Sequence, residues 1–202
     1  MLKHFFSIAL IALYPALVHA SVIFAMPSLQ IVAVIFFLLG IFWAPLVRGR
    51  LIPWLIFILL TTIVLLLGYF KLTLYLLYLT PILIPLALLI FFGRTLLPGR
   101  IPLITAISDA ARGPLTPALQ KYTRLLTQLW CLVFLIIILW STILPWLHNP
   151  KLWSWFTNVI NYGFVGAFLV VEFMVRKKLF PEHNHPSFIQ YIRIIIKANI
   201  RH

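Results

Sequence analysis

Hydrophobic positions in this chain come in long unbroken runs, with no period-two alternation. Six runs, at residues 5–25, 29–47, 51–70, 72–92, 128–147 and 156–175, each hold about 20 residues. That is the length a helix needs to cross about 30 Å of hydrocarbon. Lipid offers no partner to an unpaired backbone group, so a spanning segment must satisfy its own peptide groups as a helix or join a closed barrel. Runs rich in Leu and Ile without alternation favour helices over barrel strands. The pattern therefore predicts an all-α, polytopic bundle of six transmembrane helices.

Polar positions divide the chain further. Residues 1–92 form a four-helix half whose links are very short: Met26-Pro27-Ser28, Arg48-Gly49-Arg50 and the turn around Gly68 and Lys71. Links of this length make successive helices antiparallel neighbours. Pro15, Pro81 and Pro85 fall inside the runs and are expected to bend their helices. Residues 93–127 form a basic loop. In it Gly93 is placed to cap the fourth helix, Pro98-Gly99 makes a turn, and 102–112 forms a short helix ended by Gly113-Pro114. Thr116-Pro117 reads as N-cap and first residue of a helix that continues into the fifth span. From Pro117 to Leu147 such a helix is about 46 Å long at about 1.5 Å per residue, so its first turns extend beyond the bilayer core. Residues 128–175 hold the last two spans, and 176–202 a basic tail. In the tail Ser187 can cap a helix with a cationic stripe of Gln190, Arg193, Lys197 and Arg201, which predicts a C-terminal amphipathic helix in the membrane interface.

Composition agrees with this reading and excludes others. The chain has 202 residues, 63% of them hydrophobic and 9% charged. A soluble domain carries about a quarter charged residues. The single cysteine, Cys131, excludes an internal disulfide. The net charge of +13 comes from 16 Lys and Arg against 3 Asp and Glu. In a soluble chain it would suggest nucleic acid. Here, with the N-terminus placed inside, fourteen of the basic residues fall in inside segments and only Lys71 and Lys151 outside. The charge is thus a topology signal that predicts an N-in, C-in arrangement, and no nucleic-acid partner is expected. Trp146, Trp153 and Trp155 at one end, and Trp43 and Trp54 at the other, fit interfacial belts. The stretch Val18-His19-Ala20 also resembles a signal-peptide cleavage site, but Pro15 within the run and the short interval before the next span favour a retained helix.

Chemistry is sparse. Glu172 is the only acidic residue in a span, and it is open to two readings. It can pair with Arg176 four residues on, or act as a catalytic carboxylate at a cavity mouth. Asp109 can pair with Arg112, or can help position Arg94, Arg100 and Arg112 around an anionic head group or carrier phosphate. Lys121, Arg124 and Gln128 share one helix face. Asn158, Asn161 and Tyr162 form a polar face at i, i+3 and i+4, for which interhelical hydrogen bonding is the default. His183 and His185 are a weak metal pattern without further ligands, and no metal or other cofactor is expected. No serine or threonine has a recognisable base partner, so no hydrolytic triad is expected.

Two blocks of the sequence resemble a known family. The first runs Phe92-Gly93-Arg94-Thr95-Leu96-Leu97-Pro98-Gly99-Arg100, then Pro102-Leu103-Ile104-Thr105, Gly113-Pro114-Leu115 and Tyr122-Thr123-Arg124 to Trp130. The second comprises Asn161-Tyr162, Glu172-Phe173, Arg176, Phe180-Pro181 and His185-Pro186-Ser187-Phe188, with Tyr14-Pro15 near the start. Together they are similar to bacterial inner-membrane proteins encoded in fatty-acid-synthesis-like clusters for aryl polyene pigments. Phe173 stands where the family pattern has tyrosine. Some members are labelled ketosynthases, but no Cys-His-His site supports that here, and Cys131 lies mid-span. The resemblance implies a multi-pass protein of the inner membrane working in lipid or aryl polyene synthesis. Three roles fit that setting. One is an accessory subunit that docks acyl carrier protein or synthase subunits, or hands over acyl chains, at a basic cytoplasmic face. The second is an acyl- or head-group transferase using Arg94, Arg100, Asp109 and Glu172. The third is a small lipid transporter or flippase. Besides the lipid bilayer, anionic lipid head groups are expected partners of the basic residues.

Overall fold

The computed structural model describes residues 2–180; for Leu2, Lys3, His4, Ala111 and Arg112 it describes the backbone alone. The predicted C-terminal amphipathic helix and the His183/His185 pair lie outside the described residues. Every regular element among the described residues is helical: α1 (Leu2–Ile23), α2 (Pro27–Val47), α3 (Leu51–Tyr69), α4 (Thr73–Arg94), α5 (Leu103–Arg112), α6 (Pro117–Ile143), α7 (Pro150–Trp155) and α8 (Asn161–Leu179). Among the described residues, six helical segments are long and apolar enough to cross a membrane. Four are single helices of 19 to 22 residues. The fifth, Pro117–Leu147, is α6 followed by a 3-10 turn at Leu144–Leu147, where Pro145 cannot donate to an α-type bond. The sixth, Pro150–Leu179, joins α7 to α8 through a π turn at Phe156–Ile160.

The chain divides into two compact units. The first comprises Met1–Ile82 and Trp140–Tyr162, the second Leu83–Leu139 and Gly163–His202. Helices α4, α6 and α8 each contribute a part to both.

In the first unit, α1, α2 and α3 follow one another through hairpin turns of one design. Each helix ends in a Schellman motif, with one residue in the left-handed region and paired 6→1 and 5→2 hydrogen bonds. At the end of α1, Met26 N–H bonds the Ser21 carbonyl at 2.8 Å and Ala25 N–H the Val22 carbonyl at 3.4 Å, with Ala25 at φ 53°. At the end of α2, Arg50 bonds Pro45 and Gly49 bonds Leu46, with Gly49 at φ 65°. At the end of α3, Leu72 bonds Leu67 at 2.8 Å and Lys71 bonds Gly68, with Lys71 at φ 59°. The left-handed position of such a motif favours glycine, and of the three only Gly49 meets that preference. Ala25 and Lys71 hold the same conformation against the clash of Cβ with the backbone.

The core of this unit is Tyr14, Val18, Val22, Ala33, Val34, Val64, Leu77, Leu144 and Trp153. Backbone approaches backbone closely at Gly40 of α2, where a Cβ would meet Ser7 O of α1 at 3.1 Å and Ile11 N at 3.2 Å. Val18 and Ser21, on either side of the suspected cleavage point, are buried within this packing. Outside the core the helices are apolar and bare. On α3, Leu51, Ile52, Leu55, Leu59 and Leu66 are all more than half exposed, and Val64 alone is buried. An apolar surface this large is untenable in water and is what hydrocarbon solvates.

The second unit packs the end of α4, the following loop, α5, most of α6 and most of α8. Its centre is aromatic: Trp130 lies between Phe134, with ring centroids 5.5 Å apart, and Phe168 at 4.9 Å, while Phe92 packs edge-on to Phe134 at 5.2 Å. Edge-to-face contacts at these distances add to the area such rings bury. Gly93 does not cap α4. The helix runs through it to Arg94 and is closed by Thr95, whose hydroxyl and N–H both bond the Phe92 carbonyl, at 2.6 and 3.0 Å. A side-chain hydroxyl can satisfy the last turn without a left-handed residue, so the glycine is not used.

Candidate functional site

The basic loop is organised by threonines. Thr95 Oγ1 accepts the Leu103 N–H at 3.0 Å, so it caps α5 from the end of α4. Pro102, at the N-cap position of α5, offers no side-chain bond, and the first amides of a helix need an acceptor. The Pro98-Gly99 turn forms as expected, with Gly99 at φ 78° and Arg100 N–H bonded to Leu97 O. Arg124 of α6 donates to the Leu96 carbonyl at 3.3 Å and ties the loop to that helix. Helix α5 packs on α6 through Thr105 and Thr123, whose hydroxyls are 2.7 Å apart and buried. Thr123 also donates back to Leu119 O, and Thr127 to Thr123 O. Thr116 caps α6 as expected, accepting the Leu119 N–H at 3.4 Å. Gly113, at φ 82°, separates α5 from α6.

This frame separates the predicted cations by task. Arg124 is used in holding the loop. Arg94, Arg100 and Lys121 are exposed, and among the described residues none of their side chains makes a hydrogen bond or ion pair. The side chain of Arg112, and with it the expected Asp109–Arg112 pair, lies outside the described residues. Asp109 is exposed on α5.

Glu172 is engaged within the protein. Its Oε1 lies 3.3 Å from Arg176 Nε and accepts the Tyr122 hydroxyl at 3.2 Å. Only 11% of the Glu172 side chain and 17% of the Arg176 side chain are exposed. The Arg176 guanidinium sits 5.9 Å from the centre of the Phe173 ring, and the Tyr122 ring meets Phe180 edge-on at 5.3 Å. Of the two readings of Glu172, the i, i+4 pair is the one formed. Tyr122, which sequence reasoning did not single out as a site residue, links it to α6. Its position one residue after Lys121, on the helix that carries the basic face, was the available signal.

In the first unit the polar residues of the sixth span have different surroundings. Asn161 is buried and accepts the Trp140 indole N–H at 2.6 Å, a bond between α6 and α8. Asn158 donates to Ser154 O at 3.2 Å, Ser154 Oγ at 3.3 Å and Thr157 Oγ1 at 3.2 Å. Tyr162 is 59% exposed. The π turn at Phe156–Ile160 breaks the 3.6-residue register on which a common face depends.

The structure also corrects the expectation that no serine has a base partner, because His19 Nδ1 of α1 lies 3.0 Å from Ser154 Oγ of α7. Residues 135 apart in sequence give no local pattern, so only the fold brings them together. Ser154 is fully buried, and the His19 ring is held against Trp155 at 4.9 Å. The group therefore clasps α1 to α7 and presents no nucleophile to a substrate. Among the described residues no three His, Cys, Asp or Glu side chains come together as a metal site.

These features define a multi-pass helical membrane protein with a braced cationic loop. No family model, curated protein or solved structure matches the chain.

Proposed function

We propose that the chain is an accessory protein of the bacterial inner membrane, with both termini in the cytoplasm, that docks an acidic partner of a lipid or aryl polyene pathway on its basic loop. The observation that carries this reading is the division of charges in the second unit. Arg124, Arg176 and Glu172 are used in internal contacts, whereas Arg94, Arg100 and Lys121 are displayed on a loop and helix braced by Thr95, Thr105 and Thr123. Unpaired guanidinium groups on a fixed frame suit bidentate capture of carboxylate or phosphate. An acidic acyl carrier protein offers both, and complementary charge favours rapid, specific encounter.

A transferase reading has less support. Glu172, the largely covered carboxylate among the described residues, is already bound by Tyr122 and Arg176, and Asp109 is exposed on α5.

The test is capture of purified acyl carrier protein by the full-length protein in detergent. The triple variant Arg94→Glu, Arg100→Glu, Lys121→Glu should lower capture at least tenfold, and added salt should weaken wild-type capture. Wild-type capture by the triple variant, or capture indifferent to salt, would overturn the docking role. Lipid and pigment profiling of a strain carrying the same variant separates loss of product from its mislocation, which would instead indicate transport.

A further inference from the structure

We infer that the turn between α2 and α3 is a binding site for anionic phospholipid, with Arg48 and Arg50 holding the lipid phosphate. The first argument is charge. The three acidic residues of the chain are Asp109, Glu172 and Glu182, so the first unit holds no carboxylate side chain at all. Arg48 and Arg50 are exposed, and among the described residues neither side chain makes an ion pair or hydrogen bond. Two guanidinium groups separated by one glycine repel each other unless an anion lies near them, and within this unit no anionic side chain exists. The counter-charge therefore comes from outside this unit, and lipid phosphate at the membrane surface is the anion the inference assigns to it.

The second argument is depth. Helices α2 and α3 have 21 and 19 residues, which is about 31 and 28 Å of rise at about 1.5 Å each. Both match a hydrocarbon core of about 30 Å. Apolar helix continues to Val47 and resumes at Leu51, so nothing lifts the turn into water. Leu51 and Ile52, immediately beside the arginines, are 72% and 70% exposed. An acidic soluble protein approaching the turn would meet those side chains in the membrane. A phospholipid brings its phosphate to the guanidinium groups and its acyl chains to Leu51 and Ile52. The basic loop of the second unit differs here, since Lys121 stands on a helical segment of 31 residues, long enough to leave the bilayer.

The third argument is that the turn is preformed. Gly49 holds φ 65°, and the Leu46 carbonyl receives both the Gly49 N–H at 2.9 Å and the Trp54 indole N–H at 3.1 Å. Trp54 packs at right angles to Phe57 with centroids 6.3 Å apart. The indole that usually seeks the membrane interface is thus bound to the turn itself, and the arginines on either side of Gly49 start from a fixed backbone.

The experiment is native mass spectrometry of the delipidated full-length protein in detergent, with equal amounts of phosphatidylglycerol and phosphatidylcholine. Wild type should retain phosphatidylglycerol over phosphatidylcholine. Arg48→Gln/Arg50→Gln should retain at least threefold less phosphatidylglycerol, with phosphatidylcholine unchanged. Arg48→Lys/Arg50→Lys, which keeps the charge and guards against a folding artefact, should recover at least half of the lost retention. Lys151→Gln, which removes another cation of the same unit, should retain phosphatidylglycerol as wild type does, and Arg48→Gln/Arg50→Gln should still capture acyl carrier protein, so failure of this proposal and failure of carrier docking are read separately. Equal retention by wild type and the glutamine variant would overturn the inference. So would loss of both lipids together, or displacement of the bound lipid by soluble glycerol phosphate at matched concentration.

Discussion

Replacing Glu172 and Arg176 by glutamine, singly and together, tests whether this pair is structural. The groups are 3.3 Å apart, and 11% and 17% of their side chains are exposed. At an effective dielectric of about 20 the gross attraction is about 5 kcal/mol. Desolvation of both ions takes back much of it. Exposed pairs give about 0–1 kcal/mol, whereas stranding one partner of a buried pair costs about 3–5 kcal/mol. With roughly one-seventh of the surface still exposed, each single variant should lose about 2 kcal/mol. Glu172→Gln keeps an oxygen for the Tyr122 hydroxyl, so the ion pair is the main interaction it removes. The double variant should then lose little more than either single variant, with a coupling energy of about 1–2 kcal/mol, because no charge is left stranded. The assay is titration of the purified protein from dodecyl maltoside into sodium dodecyl sulfate, followed by tryptophan fluorescence and circular dichroism. Strictly additive losses, or single variants as stable as wild type, would refute the pairing argument. A Glu172→Gln protein of wild-type stability that makes no pathway product would return Glu172 to the catalytic reading.

Three further outcomes follow from the packing. Gly40→Leu should destabilise the first unit by at least about 2 kcal/mol in the same titration, because backbone atoms Ser7 O and Ile11 N, within 3.2 Å of a Cβ, cannot turn aside as a side chain can; wild-type stability would show that the helices separate freely. Thr123→Val should cost about 1–2 kcal/mol, since it leaves the buried Thr105 hydroxyl without its partner at 2.7 Å, and limited proteolysis should then cut the loop before α5 faster. Lys71→Gly should stabilise by up to about 1 kcal/mol, because it removes a Cβ from a residue at φ 59°; a loss of stability would mean that the lysine side chain does something beyond closing the turn.

The sequence by itself determined the class and the helical segments, but not the division into two units, which splits three helices. The run length of apolar residues dictates six helices, because backbone desolvation in lipid leaves no other solution. Pro102, Gly113, Thr116 and Pro117 mark the limits of α5 and the start of α6, because their effects are local in the backbone. The Glu172–Arg176 pair was also legible, since four residues on a helix place two side chains together.

Tertiary structure decided everything that depended on residues distant in the chain. It brought Tyr122 to Glu172, Thr105 to Thr123 and His19 to Ser154, contacts that no periodicity encodes. It also divided the cations into those used internally and those displayed. Arg124 and Lys121 share one helix face, yet Arg124 is the one that reaches the Leu96 carbonyl. It closed two hairpins with Ala25 and Lys71 in the left-handed region, where local preference calls for glycine. The physical reason is common to these cases. Hydrophobic length and backbone propensity act within a few residues and can be summed along the chain, whereas a hydrogen bond or ion pair exists only once packing has fixed which side chains meet.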